Sequence, residues 1–295
     1  MGDHVSGDKT DRGIGFIGLG NIGRPIARHL LKLGQPVWVR DVEVGPVMEL
    51  VGLGAKRADT PAELARQCHH IGICVRDDID VEQLLYGSAG SGRGLFEEAE
   101  TGTVIAVHST VSYDAMMRWS RHATLRGIHL VDAPITGGAG GADAATLCYM
   151  IGGDAALFER CRPIFATSGN KLVHAGATGA GITLKLCNNI MTYAAFAAID
   201  EASRLAKAGG LDAALLLEVG RSNGVVTPQM EAFFTNRERM RAVGPEVLEQ
   251  GFGPFGALGR KDLAAALESA RKLGVDLAAS ERVHEIIQDV FLAKR

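Results

Sequence analysis

Gly13-Ile14-Gly15-Phe16-Ile17-Gly18-Leu19-Gly20-Asn21-Ile22-Gly23-Arg24-Pro25-Ile26-Ala27-Arg28-His29-Leu30 opens on Ile14, Phe16 and Ile17, the makings of a short buried strand. Gly18, Gly20 and Gly23 then spell G-x-G-x-x-G, and Ile22, Ile26, Leu30 and Leu33 recur at helical spacing. In such a turn the first glycine permits the tight bend and the second lets a pyrophosphate reach the backbone. The third lets the helix pack closely on the strand, while the helix N-terminus stabilises phosphate charge. A lone glycine pattern is weak in a chain with 38 glycines. Here it sits between a strand and a helix, which is the context the motif demands. Leu19, Asn21 and Ile22 complete the candidate cofactor turn.

A second strand, Pro36-Val37-Trp38-Val39-Arg40, ends at Asp41. An acid about 20 residues past the glycine turn is placed to bind adenosine ribose hydroxyls and would repel a 2′-phosphate. Val42 follows, where an NADP-selective site more often offers Arg, so NAD is favoured over NADP. S-adenosylmethionine enzymes also combine a glycine turn with an acid after the second strand. The motif alone therefore leaves the nucleotide open.

Alternation continues beyond Asp41. Thr60-Pro61-Ala62-Glu63 opens a short helix, with Thr60 as cap and Pro61 at the first position. Ile71 to Val75 reads as a strand, Val81 to Leu85 as a helical turn and Gly87 to Gly94 as a loop. A strand from Thr103 to Val107 leads through His108-Ser109-Thr110 to a helix over Tyr113 to Arg126. Strands follow at His129 to Val131, Leu147 to Ile151 and Lys171 to Ala175. Strand and helix in alternation predict a mainly parallel, doubly wound sheet of the α/β class. Ligands of such sheets sit beyond the carboxyl ends of the strands, where Asp41, Val75, Arg76, Thr110 and Thr136-Gly137-Gly138 fall.

Past Gly181 the pattern becomes helical: Ile182 to Ala208, Leu211 to Val219, near Gln229 to Phe234, Leu258 to Lys272 and Ser280 to Leu292. The organisation expected is a Rossmann-type domain over residues 13–175, an all-helical domain over 176–295 and a flexible tail over 1–12. The Gly176 to Gly181 stretch reads as a hinge.

Composition narrows the class of partner. A net charge of -3 without a long basic block argues against nucleic acid. No uninterrupted apolar run reaches the roughly 18 residues of a membrane span. The polar first dozen residues do not resemble a signal peptide. Cys68, Cys74, Cys148, Cys161 and Cys187 form no C-x-x-C pair and no metal site is expected; most lie in apolar or strand-like contexts, which suits buried thiols in a reducing cytoplasm.

The residue that most narrows the chemistry is Lys185, four ahead of Asn189. A Lys at i and an Asn at i+4 share one helical face, and Ile182, Leu184, Leu186, Ile190 and Met191 surround them in sequence. An ammonium in apolar company loses solvation, which lowers its pKa toward the range useful in proton transfer. The neighbouring carboxamide suits holding a hydroxyl or carbonyl oxygen. Read by itself, the pair also fits a lysine that extends its head to water beside a satisfied polar residue.

Four separated motifs resemble the β-hydroxyacid dehydrogenase family, which includes 3-hydroxyisobutyrate dehydrogenase. They are Gly18 to Gly23, Asp132 to Gly138, Gly176 to Asn189 (G-x-x-G-x-G-x-x-x-K-x-x-x-N in full) and Lys261-Asp262-Leu263. The resemblance implies that Lys185 is the catalytic lysine and Asn189 its substrate-holding partner. It implies that Thr136, Gly137 and Gly138 bind a substrate carboxylate, and that Val75, Arg76, Thr110 and Lys261 line the cofactor. Thr136 stands where the family usually shows Ser, Val75-Arg76 where it commonly shows Leu-Pro, and His108 where it shows an acid. Ser222-Asn223-Gly224 lacks an aromatic that many members place there.

The function expected is hydride transfer between NAD and a small 3-hydroxy acid or its semialdehyde, with Lys185 as general acid or base. A homo-oligomer, dimer or tetramer, is expected to act on a small carboxylate substrate, away from nucleic acid and membranes. An imine reductase is the first competing reading, although such enzymes usually replace the lysine. A non-catalytic dinucleotide-binding protein is the other.

Overall fold

The computed structural model describes residues 12–88 and 92–295. Most of the expected tail, residues 1–11, and the centre of the expected glycine-rich loop, residues 89–91, lie outside the described residues. Two compact units, Met1–Lys185 and Leu186–Arg295, divide the chain inside a helix. The sequence pattern alone places that boundary at 175/176.

In the first unit the strands are β1 (Gly13–Ile17), β2 (Val37–Arg40), β3 (Lys56–Arg57), β4 (Cys68–Ile73), the short pair β5 (Gly87–Ser88) and β6 (Gly92–Arg93), β7 (Val104–Val107), β8 (His129–Asp132), β9 (Ile135–Thr136), β10 (Leu147–Gly152) and β11 (Gly169–Gly176). The main sheet runs β11-β10-β8-β7-β4-β1-β2-β3, with β9 beside β10. It is parallel except where β10 meets β8 and β9. Helices α1 (Gly23–Leu30), α2 (Val44–Gly52), α3 (Pro61–Gln67), α4 (Asp78–Tyr86), α5 (Leu95–Glu98), α6 (Tyr113–Leu125), α7 (Gly138–Asp143) and α8 (Ala155–Phe165) connect them. This is the Rossmann-type, mainly parallel α/β fold expected.

Side-chain patterning accounts for these elements. β1 and β7 are buried throughout, as strands covered on both faces must be. Thr60 caps α3 by accepting the Glu63 N–H at 3.1 Å, and Asp154 caps α8 by accepting the Leu157 N–H at 2.8 Å. Ile14, Phe16, Ile26, Leu30, Val39, Tyr149, Ile151 and Phe165 form the core of this unit.

Arg12 departs from the tail reading. Its guanidinium pairs with Glu100 at 2.7 Å and donates to Thr103 Oγ1 at 3.1 Å and to the Cys68 carbonyl, so it is tied to the amino ends of the central strands β4 and β7.

Helix α9 (Ala180–Ala208) crosses from the first unit into the second, which continues with α10 (Ala213–Ser222), α11 (Pro228–Val243), α12 (Pro245–Leu273) and α13 (Ala278–Phe291). The expected helices are present, but two are much longer than their sequence patterns. α12 runs through Gly251, Gly253, Pro254 and Gly256, residues that discouraged a helical reading. Burial of Leu248, Gly256, Leu263 and Leu267 outweighs that local preference. Tyr193, Phe196, Phe233, Leu263, Ile287 and Phe291 make the second core. Beneath them Arg237 and Asp200, both buried, pair at 2.7 Å.

α9 is long and apolar enough, by length and composition alone, to cross a membrane. Its buried residues include Asn189, Asp200 and Ser203, and Asp200 pairs with Arg237 of α11. That is the pattern of a core helix in a helical bundle.

The thiol expectation needs correction. All five cysteines are free, but only Cys68 and Cys161 are buried; Cys74 and Cys148 are half-buried and Cys187 is exposed.

Candidate active site

The glycine turn separates into two kinds of glycine. At Gly18, φ is +93°, and a Cβ would fall 2.2 Å from the Cys74 carbonyl oxygen. At Gly23 a Cβ would fall 1.9 Å from the Gly18 carbonyl oxygen. Both are required by the fold itself. Gly20 has nothing within 4 Å of its would-be Cβ and no left-handed φ. Neither packing nor backbone geometry demands glycine there, whereas a pyrophosphate laid against the turn does. α1 starts just beyond, with no side-chain cap and no acid in its first turn. Arg24 donates its N–H to the Gly20 carbonyl at 3.1 Å and Pro25 has none, so it is the positive end of the helix, with the Gly23 N–H, that suits a phosphate oxygen. The turn thus fits a dinucleotide.

Asp41, at the end of β2, accepts the Leu19 N–H on Oδ2 and the Glu43 N–H on Oδ1 at 2.8 Å. The carboxylate therefore pins the glycine turn. Its remaining lone pairs are available to ribose hydroxyls. Val42 beside it is 88% exposed and brings no cation.

The ends of β4 and β7 are tied through Ser109, whose Oγ accepts the Val75 N–H and donates to the Val75 carbonyl, both at 2.8 Å. This fixes Val75 and sets Thr110 one residue beyond. Arg76 points outward: its side chain is 85% exposed and meets Asp80 at 2.8 and 3.0 Å. The ion pair raises the Arg76 pKa and lowers that of Asp80. His108 turns inward, its Nδ1 2.9 Å from the Ala133 carbonyl and its ring stacked on Phe16. Burial lowers its pKa to about 4, so the ring is a neutral core imidazole whose Nδ1–H donates to Ala133.

Beyond β8, Thr136 lies on β9 opposite Cys148 of β10. Gly137 and Gly138 have φ of +126° and +63°, a backbone that favours glycine at both positions. Open space lies over Gly138, with no atom within 4 Å of its would-be Cβ. The first unit thus gathers the glycine turn, Asp41, Val75, Thr110 and Thr136 to Gly138 at or beyond the carboxyl ends of β1, β2, β4, β7 and β8.

Lys185 occupies the second turn of α9, with Ile182 and Leu186 buried on either side in sequence. Leu184 and Met191, expected among its apolar neighbours, are 38% and 66% exposed. The start of this helix is held by Asp132, a residue to which the sequence reading gave no role. Its buried carboxylate accepts the Gly179 N–H at 2.8 Å and the Ile182 N–H at 2.9 Å.

In the second unit Asn189 is buried and donates from Nδ2 to Asp262 Oδ2 at 2.8 Å. Tyr193 donates its hydroxyl to the same oxygen at 3.2 Å, and Lys261 Nζ stands 3.3 Å from Asp262 Oδ1. Asp262 therefore joins Asn189 to Lys261. Its place in the Lys261-Asp262-Leu263 motif was the available signal, but sequence alone does not show which partner a buried acid meets.

Two family models together match almost the whole chain. The family described as the NAD binding domain of 6-phosphogluconate dehydrogenase matches residues 13–176. The family described as NAD-binding of NADP-dependent 3-hydroxyisobutyrate dehydrogenase matches residues 179–294. A 2-(hydroxymethyl)glutarate dehydrogenase of Eubacterium barkeri is 32% identical, over 93% of this chain and 88% of its own. A 3-hydroxyisobutyrate dehydrogenase of Pseudomonas aeruginosa is 36% identical, over 70% of this chain and 68% of its own. Among solved structures, a 3-hydroxyisobutyrate dehydrogenase of Mycobacterium tuberculosis superposes with a TM-score of 0.79 at 24% identity, over 96% of this chain and 99% of its own, a likeness of fold.

Proposed function

We propose, since this chain belongs to the family of 3-hydroxyisobutyrate dehydrogenase and related NAD(P)-dependent hydroxyacid dehydrogenases, that it oxidises a small 3-hydroxy acid with NAD or reduces the matching semialdehyde. The observation that carries this reading is the open face over Gly20, set beside Asp41, Thr110 and the Thr136 to Gly138 turn on neighbouring strand ends.

The nicotinamide supplies a hydride acceptor or donor. Asp41 takes the adenosine ribose hydroxyls, and Val75, Thr110 and Lys261 line the cofactor. The Gly137 and Gly138 N–H groups and the Thr136 hydroxyl hold the substrate carboxylate. Asn189 holds the reacting oxygen. In the oxidation, neutral Lys185 accepts the hydroxyl proton as the C–H hydride leaves; in the reduction, its ammonium returns a proton to the carbonyl oxygen. A reducing, cytoplasmic setting and a homo-oligomer complete the reading.

The test is turnover of 3-hydroxyisobutyrate and 2-(hydroxymethyl)glutarate with NAD and with NADP, alongside a panel of cyclic imines with the reduced cofactors. Hydroxy-acid oxidation that is faster with NAD supports the proposal. Imine reduction without hydroxy-acid turnover favours the competing reading and contradicts this one.

A further inference from the structure

The side chain of Asp132 is fully buried at the carboxyl end of β8, inside a slot that two glycines create. A Cβ at Gly152, its partner across the β8–β10 pair, would fall 2.3 Å from Asp132 Oδ1. One at Gly181 would fall 2.9 Å from Asp132 Oδ2 and 2.4 Å from the Met150 carbonyl oxygen. Gly179 holds φ at +93° and gives its N–H to Oδ1 at 2.8 Å, while Ile182 gives its N–H to Oδ2 at 2.9 Å. Two glycines of the G-x-x-G-x-G run are thus accounted for inside the protein. One turns an N–H toward the carboxylate and the other makes room for it.

We infer that Asp132 is a positioning residue for Lys185: it clamps the first turn of α9 to the sheet and so sets where the lysine amine, one turn further on, meets its substrate. The clamp is stiff for three reasons. It uses both carboxylate oxygens, it is shielded from water, and its charge faces the positive end of a long helix dipole. A side chain on the second turn inherits the position and rotation of the first, and a displacement of about 1 Å in a reacting group can cost on the order of 10²-fold in rate. The inference rests on the reading of Lys185 as the proton-transfer group.

Asp132→Asn retains the shape but offers an NH2 group to one of the two amide donors. The test compares this variant with the parent and with Lys185→Ala in the full-length protein, using 3-hydroxyisobutyrate with hydrogen or deuterium on its carbinol carbon. The expected result is a kcat lower by about 10–100-fold. Cofactor affinity should remain within a few-fold, and the primary deuterium isotope effect on kcat should rise as the chemical step becomes limiting. A variant that merely holds fewer folded molecules lowers kcat with no change in isotope effect or KM, and that outcome overturns the positioning role, as does parental kcat.

Hydrogen exchange on the parent protein tests the clamp without any substitution. The Gly179 and Ile182 amides should be as slow as those in β7. Exchange at the rate of exposed loops overturns the clamp itself. Parental turnover by Lys185→Ala sinks the underlying reading and this inference with it.

Discussion

The amide of Asn189 and the carboxylate of Asp262 meet at 2.8 Å within the helical unit, 73 residues apart in sequence. The bond fixes which end of the amide faces the acid; Oδ1 accepts from Asn188 Nδ2 at 3.4 Å, and one N–H of Asn189 and a second lone pair of Oδ1 remain for other partners. A hydrogen bond to a charged group contributes about 1.5–3 kcal/mol, and its loss leaves a buried donor.

Asp262→Ala is therefore expected to lower kcat/KM for the hydroxy acid by about 10–100-fold, each tenfold being about 1.4 kcal/mol. Asn189→Ala should cause a loss of similar size. The double variant should lose much less than the product of the two, because both substitutions break one bond. Steady-state kinetics on the three proteins measures the coupling; full additivity contradicts it.

The proposed preference for NAD rests on Asp41. Because this carboxylate also accepts the Leu19 N–H, Asp41→Asn is expected to weaken NAD binding by roughly tenfold while narrowing the gap to NADP. Comparing kcat/KM for both cofactors on one substrate decides it. A parent enzyme that prefers NADP would show that Asp41 does not govern selection.

Acid should destabilise the first unit through its buried histidines. Burial lowers the pKa of His70 to about 3 and that of His108 to about 4. Above the ordinary imidazole value of 6.5 both states are neutral and neither group contributes pH dependence. Between 6.5 and about 4 the unfolded chain binds protons that the folded one refuses, so stability falls as pH falls through that window. These two rings should add about two protons to the uptake on unfolding near pH 5. Asp132, whose pKa burial raises, acts in the opposite sense at the acid end. Urea melts from pH 7 to 4.5 on the parent and on His108→Gln test this; an unchanged slope in the variant would remove His108 from the account.

Arg237 and Asp200 form an ion pair with both side chains under 5% exposed, at 2% and 3%. Removing Asp200 leaves the buried guanidinium only Glu238, at 3.0 Å and partly exposed, and the Val290 carbonyl at 2.6 Å, so Asp200→Ala should cost about 1.5–3 kcal/mol. Thermal denaturation should show the loss, and replacing both residues with apolar ones should recover a large part of it. A Tm within a degree or two of the parent for Asp200→Ala would contradict the pair's role.

Much of this was legible in the sequence because the relevant signals are local. Strand, glycine turn and helix lie within Gly13 to Leu30, and Thr60-Pro61 announces its own cap. Other features depend on residues far apart. Nothing near Asp132 shows that its carboxylate meets amides at Gly179 and Ile182, and His108 looks like a site residue until Phe16 and Ala133 are seen around it. α12 was under-read for a different reason. Its glycines and Pro254 disfavour helix locally, whereas packing within the bundle, which sequence periodicity does not reveal there, sustains it.

As proposed above, Lys185 moves the proton and the cofactor site is independent of it. The most direct measurement is single-turnover oxidation of 3-hydroxyisobutyrate by Lys185→Ala at saturating NAD, with NAD affinity measured on the same preparation. Affinity within a few-fold of the parent and a turnover rate lower by about 10²–10⁴-fold are expected. Turnover within a few-fold of the parent, with the cofactor bound normally, would contradict the proposal.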